Sequence, residues 1–178
     1  MGERTVTGFV DSATGVFSED AFQHLLARET GRAARYKDFF SLCLVKSDVA
    51  PGSDDLEGAV SQKISEFVRS TDMVGRLASG IGVVLICTSG EAAIGVANRI
   101  RSQIGQVTFR DHQAGRSHRL TLSIGEVSFP RHGRDHQTLL DMAAQCLGRA
   151  AEIGGDQVVY ASALESRGGS AGDQGADA

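Results

Sequence analysis

The stretch GRLASGIGVVLIC, residues 75–87, carries the clearest local fold signal in the chain. A short apolar segment leads into small residues at 78–80, and a longer apolar run begins at Ile81. Two strand-length apolar segments on either side of a small-residue turn predict a β-hairpin, with strands over 72–77 and 81–88. The turn contains no carboxylate, histidine or lysine, so it offers neither a metal ligand nor an acid–base group.

Helix and strand patterns alternate on both sides of this hairpin. Apolar residues recur at helical spacing in some segments, whereas others are short apolar runs or alternate as strands do. The predicted helices cover 19–36, Asp54 to about Arg69, 90–104 and 137–152, and the remaining predicted strands cover 39–46, 106–110, 118–129 and 158–160. The order αβαββαββαβ, with antiparallel pairing at the hairpin, predicts one α/β sandwich whose sheet is covered by helices.

Length and charge limit the classes of function. The chain has 178 residues and a formal net charge of −4, which suits one domain and argues against nonspecific binding to nucleic acid or anionic lipid. It has no apolar run near the roughly 20 residues that a membrane helix needs, and no signal-peptide pattern begins it. We expect a cytoplasmic protein with a lead-in over 1–10 and a disordered Gly/Ser/Asp-rich tail over 165–178.

The cysteines and histidines do not form a metal or disulfide pattern. Cys43, Cys87 and Cys146 are scattered among apolar residues, which predicts small buried side chains in a reducing compartment. His132 and His136 are four residues apart, but no third ligand accompanies them. We therefore expect no metal site.

Four further segments, in order, resemble the GGDEF domain, the fold of diguanylate cyclases. DSATGVFSEDAF (11–22) resembles its opening motif, SLCLVKSD (41–48) the strand that ends in D-x-D, LTLSIGEV (120–127) the late V-T-x-S-I-G-V strand, and LGRAAEIGGDQVV (147–159) its closing motif. The resemblance implies a single palm-like domain over 11–164, with a mostly antiparallel central sheet flanked by helices.

The same resemblance identifies the hairpin turn as a degenerate signature. Ala78, Ser79, Gly80, Ile81 and Gly82 stand where the family has G-G-D-E-F. Ile81 replaces the metal-binding carboxylate of the signature.

Most of the other positions implied in catalysis have changed as well. Lys46 replaces the first Asp of D-x-D, and Asp48 matches the second. The segment 49–55 is too short for the family's guanine-reading loop, and Ala151 and Gly155 stand at its phosphate-contacting Lys and Arg positions. Since Mg²⁺ needs oxygen ligands, we expect no Mg²⁺ and no cyclase activity.

An inhibitory-type site for cyclic di-GMP is, by the same resemblance, retained. The R-x-x-D motif that precedes the family signature by five residues matches Arg69 to Asp72, and the motif A-x-R-I-R on the following helix places a third ligand at Arg99. Arginine can hold guanine or phosphate with two hydrogen bonds. Ordinary structure also explains each residue separately: a helix-end cation, a turn aspartate and a solvated helix face.

Three hypotheses follow. The first is an inactive GGDEF-like domain that binds cyclic di-GMP and transmits this to a protein partner or a second copy of itself. The second is a scaffold for protein interaction that binds no nucleotide. The third is an enzyme with residual cyclase activity in which Lys46 replaces the metal.

Overall fold

A computed structural model describes residues 8–11, 14–48, 54–111 and 115–168. The elements follow the chain as α1 (Glu19–Tyr36), β1 (Phe40–Ser47), α2 (Asp54–Ser65), β2 (Met73–Leu77), β3 (Gly80–Ile86), α3 (Gly90–Gln106), β4 (Thr108–Asp111), β5 (Arg116–Arg119), β6 (Leu122–Phe129), α4 (His136–Glu152), β7 (Val158–Tyr160) and α5 (Ala161–Gly168).

The main sheet has five strands in the order β2-β3-β1-β6-β7. Strand β1 pairs antiparallel with β3 and β6, β2 pairs antiparallel with β3, and β7 lies parallel to β6. Strands β4 and β5 form a separate two-stranded ribbon. The predicted mostly antiparallel sheet flanked by helices is therefore confirmed.

Helices cover both faces of this sheet. Apolar side chains of α2 and α3 pack with one set of strand residues, including Val45 and Ile81. Those of α1 and α4 pack with the alternate set, including Phe40, Leu42 and Val127. All eight residues of β6 are buried, as expected for a central strand that is covered on both sides.

The alternating run 118–129, predicted as one strand, belongs to two sheets. Strand β5 pairs with β4, whereas β6 pairs with β1, and the strand conformation is interrupted between them. At the break, the backbone N–H of Asp48 donates to the carbonyl of Thr121 at 3.0 Å. Alternation does not reveal this change of partner because it reports only which face is buried.

Three local predictions also need correction. Helix α2 ends at Ser65 rather than near Arg69, and a turn leads into β2. Helix α5 was not predicted; it crosses the expected boundary at 164/165, and its first residue, Ala161, is buried against the α4 side of the sheet. Cys87 is exposed just beyond β3, with φ 48°, whereas Cys43 and Cys146 are buried.

Residues 1–7 and 169–178, which hold most of the predicted lead-in and tail, lie outside the described residues. Within the described ranges, no helix combines the length and the apolar character that a bilayer span requires.

Gly125 tests the close packing of α4 on the sheet. A Cβ at this position would lie 2.2 Å from the carbonyl oxygen of Ala143 and 2.5 Å from the backbone nitrogen of Leu147. Gly125→Ala must push the helix away, so we expect a loss of about 3 kcal/mol in the free energy of unfolding, measured by urea titration. Gly148→Ala on α4, which meets nothing within 4 Å, should instead stabilise by about 0.5–1 kcal/mol. Equal effects of the two changes would contradict this packing.

Candidate functional site

The hairpin turn is tighter than the sequence indicates. Leu77 pairs with Gly80, so only Ala78 and Ser79 form the loop. Gly80 has φ 135°, and a Cβ there would lie 2.4 Å from the carbonyl oxygen of Val45. Glycine is therefore required at this position both by conformation and by the close approach of β1.

The position of the expected metal carboxylate belongs to the core. Ile81 is 2% exposed and packs among the apolar side chains under α2 and α3. It pairs with Val45 across β1 and β3. A Cβ on the neighbouring Gly82 would lie 2.5 Å from the ring of Phe22, so the backbone here also packs against the opposite layer. The segment 80–82 thus performs a packing role.

Lys46 and Asp48 are exposed at the end of β1, close to this hairpin. Asp48 accepts hydrogen bonds from the hydroxyls of Thr121 (2.7 Å) and Ser123 (2.5 Å) and from the backbone N–H of Asp156 (2.8 Å). A Cβ on Gly155 would lie 2.9 Å from the Asp48 carboxyl group. The carboxylate therefore fastens the turn before β7 to the end of β1.

Helix α3 is fastened to the same turn. Arg101 donates to the Asp156 carboxylate at 2.6 Å and to its carbonyl at 3.0 Å.

Among the described residues, no three His, Cys, Asp or Glu side chains gather as a metal site would require. Most of the predicted shortened loop, residues 49–53, lies outside the described part. Ala151, at the first of the two expected phosphate-contacting positions, is exposed.

The Arg69–Asp72 turn lies at the other end of the sheet, between α2 and β2. Asp72 donates its backbone N–H to the Arg69 carbonyl (3.0 Å) and accepts the backbone N–H of Arg69 on its carboxylate (2.9 Å). Its second carboxylate oxygen accepts the backbone N–H of Ile86, at the end of β3 (3.0 Å). Asp72 therefore closes the turn and anchors it to the sheet, while Arg69 is exposed.

Arg99 reaches this turn from α3. Its Nη2 donates to the carbonyl oxygen of Phe67 at 3.1 Å, and Phe67 lies two residues before Arg69. The structure thus brings the three predicted ligand positions to one connection, although Asp72 has a structural role that the sequence did not reveal. The side chains of Arg69 and Arg99 lie on the exposed surface.

Sequence reasoning overlooked a buried carboxyl in the central strand. Glu126 is 1% exposed, and burial raises the pKa of its carboxyl, although the hydrogen bond from Ser128, the nearby Ser41 hydroxyl and the charge of Arg131 act in the opposite direction. The available signal was a glutamate inside the otherwise uncharged strand LSIGEVSF. A charged residue is rarely fully buried without a specific reason.

Comparison with known proteins agrees with this fold. The sequence profile described as "Diguanylate cyclase, GGDEF domain" matches residues 52–157, which is more than half of the chain. No curated protein matches the chain significantly.

Several solved structures share the fold. The GGDEF domain of YfiN (TpbB) from Pseudomonas aeruginosa is 22% identical, with a TM-score of 0.76 over 89% of this chain and 97% of that one. The GGDEF domain of DgcB from Caulobacter crescentus, in complex with c-di-GMP, is 12% identical, with a TM-score of 0.72 over 87% and 96%. The diguanylate cyclase SiaD of P. aeruginosa, in complex with its activator SiaC, is 20% identical, with a TM-score of 0.73 over 86% and 62%.

Asp72→Ala tests the anchoring role of that carboxylate. The change removes the acceptor for two backbone N–H groups, of which the one at Ile86 is partly buried. We expect a loss of about 1–2 kcal/mol in the free energy of unfolding, measured by chemical denaturation without ligand. Asp141→Ala, at an exposed site on α4 where the carboxylate meets the Gln137 side chain, should change it by less than about 0.5 kcal/mol. If Asp72→Ala leaves the free energy of unfolding unchanged, the Asp72 carboxylate does not anchor the turn.

Proposed function

The chain belongs to the GGDEF domain family, and we propose that it is a member without cyclase activity that binds cyclic di-GMP through Arg69, Asp72 and Arg99. One observation carries the proposal. The Arg99 guanidinium is hydrogen-bonded to the main chain of the Arg69–Asp72 connection, whereas the position of the catalytic carboxylate, Ile81, is in the core.

The proposed inactivity rests on what surrounds the hairpin. An isoleucine and an ammonium group occupy the two positions from which metal ligands are expected, Ile81 and Lys46. The nearby carboxylate of Asp48 is engaged by three protein donors. Phosphoryl transfer depends on metal ions that neutralise the developing charge on the phosphates, and a single ammonium cannot replace them.

The proposed ligand site supplies complementary groups. Arg69 and Arg99 offer planar sets of N–H donors, which match guanine O6 and N7 or a phosphate. The Asp72 carboxylate uses one acceptor position on each oxygen for backbone N–H groups. Because a carboxylate has about four acceptor positions, it can still accept the N1 and N2 donors of a guanine. The c-di-GMP complex of DgcB shows that a domain of this fold binds the same ligand.

The ligand signal would pass to a partner protein or a second copy of the chain. SiaD, which has the same fold, forms a complex with a protein activator. The binding turn leads into the edge strand β2 and is joined to the end of its neighbour β3 through Asp72, so ligand contacts there bear directly on this side of the sheet. We place this function in the cytoplasm, in keeping with three free cysteines.

Calorimetric titration with cyclic di-GMP tests the proposed site. We expect saturable heat with the unmodified chain, and a rise in melting temperature of roughly 5–10 °C at a hundredfold excess over Kd, because such binding adds about 2.7 kcal/mol. Arg69→Ala and Arg99→Ala should each abolish the shift. They are better probes than Asp72→Ala, because Asp72 also anchors the turn.

Arg28→Ala is the matched control. Arg28 is exposed on α1, which covers the opposite face of the sheet from α3, so its loss should leave the titration unchanged. If the unmodified chain gives neither heat nor a thermal shift at about a hundred micromolar ligand, the proposal is wrong and the result favours the scaffold hypothesis.

Incubation with GTP and either Mg²⁺ or Mn²⁺ tests the inactivity. We expect no cyclic dinucleotide by chromatography, because no carboxylate occupies the positions of Lys46 and Ile81. If product forms, Lys46→Ala shows whether the ammonium contributes to the reaction. Any product that the unmodified chain forms reproducibly would overturn the inactive assignment.

A further inference from the structure

A cavity of about 530 Å³ opens at the end of the main sheet opposite the hairpin turn. Phe39 precedes β1, Thr88 follows β3, and Phe129 and Tyr160 end β6 and β7, and all four line the cavity. The seven residues of β3 separate it from the hairpin by about 20 Å. Its volume is within the range of pockets that bind small molecules.

The deep wall of this cavity is polar and preorganised. Glu126 accepts a hydrogen bond from the Ser128 hydroxyl at 2.7 Å. The Ser41 hydroxyl lies 3.2 Å from that of Ser128 and donates to the carbonyl of Thr88 at 3.0 Å. The carboxyl group is therefore held by Ser128 of β6, and it lines the cavity although only 1% of Glu126 is exposed.

His132, in the connection between β6 and α4, holds the polar wall of the cavity in place through two contacts. Its Nδ1 accepts the backbone N–H of Ser128 at 2.8 Å, and its Nε2 lies 3.0 Å from the Ser162 hydroxyl. Because Nδ1 is an acceptor, the imidazole is neutral and its proton is on Nε2. The histidine thus adds no positive charge to the cavity.

The charge and apolar surface of the lining specify the ligand. Two carboxyl groups, Glu91 and Glu126, line the cavity with one guanidinium, Arg131. Burial keeps the pKa of Glu126 above its usual range despite Arg131, so the protein does not fully compensate this charge. Two aromatic side chains of the lining remain partly exposed, Phe39 at 44% and Tyr160 at 36%, and offer flat apolar surface.

We propose that this cavity binds a small planar organic cation, an amidinium, a guanidinium or a protonated aminoheterocycle. Its N–H groups donate to Glu126, and its flat part packs against Phe39 and Tyr160. A cation bound beside Glu126 offsets the cost of burying the negative charge of its carboxylate. An amidinium can also donate two parallel hydrogen bonds to one carboxylate. This site shares no proposed ligand residue with the cyclic di-GMP site, so either can fail without the other.

Three probes of nearly equal shape separate charge from packing. Benzamidine is cationic, benzamide neutral and benzoate anionic. We expect benzamidine to shift the backbone amide resonances of Gly90 and Gly125 in a saturable titration of the full chain, followed by ¹⁵N NMR. Its Kd should be lower than those of benzamide and benzoate by at least about tenfold.

Glu126→Gln should weaken benzamidine binding by about tenfold or more while leaving benzamide binding unchanged. Glu152→Gln, at an exposed site near the end of α4, removes the same net charge and should have no effect. Phe39→Ala, at a partly exposed site, should weaken benzamidine binding and keeps the test valid if Glu126→Gln fails to fold. Equal affinity for the three probes, resonance shifts confined to other regions, or an unchanged Kd in both Glu126→Gln and Phe39→Ala would overturn the proposal.

Discussion

The covering of one sheet by helices on both faces is the constraint on which this structure depends. Strands β1 and β6 are buried on both sides, so a polar group within them needs a partner from the protein. Glu126 meets this need inside a buried strand, whereas the more exposed Asp48 and Asp72 join strand ends to neighbouring segments. Asp48 and Asp72 accept backbone or hydroxyl hydrogens beside the ends of strands, and Glu126 accepts a hydroxyl hydrogen inside β6.

This constraint also explains what the hairpin does in this chain. With an isoleucine at position 81, β3 contributes an apolar side chain to the layer beneath α2 and α3. The glycines at 80 and 82 let the backbone approach Val45 and Phe22. Both features serve close packing, which needs no charge in the loop. The segment therefore contributes to stability whether or not it contacts a nucleotide.

Periodicity predicted most of the fold but not the partners of the polar groups. The bounds of α1 and of β7 follow the sequence pattern, because apolar spacing directly records which face is buried. The same pattern predicted a single strand over 118–129 where the structure has β5 and β6, because alternation continues where the chain passes from one sheet to the other. Helix α5 was missed since its small, mixed residues ASALESRG have weak apolar spacing. The Asp72 anchor was also missed, because its partners are main-chain groups, of which the one at Ile86 lies 14 residues away.

The two ends of the sheet differ in what they leave available to a ligand. At the hairpin end, hydrogen bonds link Asp48 to Asp156 and Asp156 to Arg101, so the strand end is joined to the turn before β7 and to α3. At the opposite end, Arg69 extends from an anchored turn that Arg99 of α3 contacts, and the β3–α3 connection leads from Ile86 to the wall of the Glu126 cavity. Thr88, which lines the cavity, lies only two residues beyond Ile86, the anchor of Asp72. The two candidate sites are therefore connected through the main chain of residues 86–88.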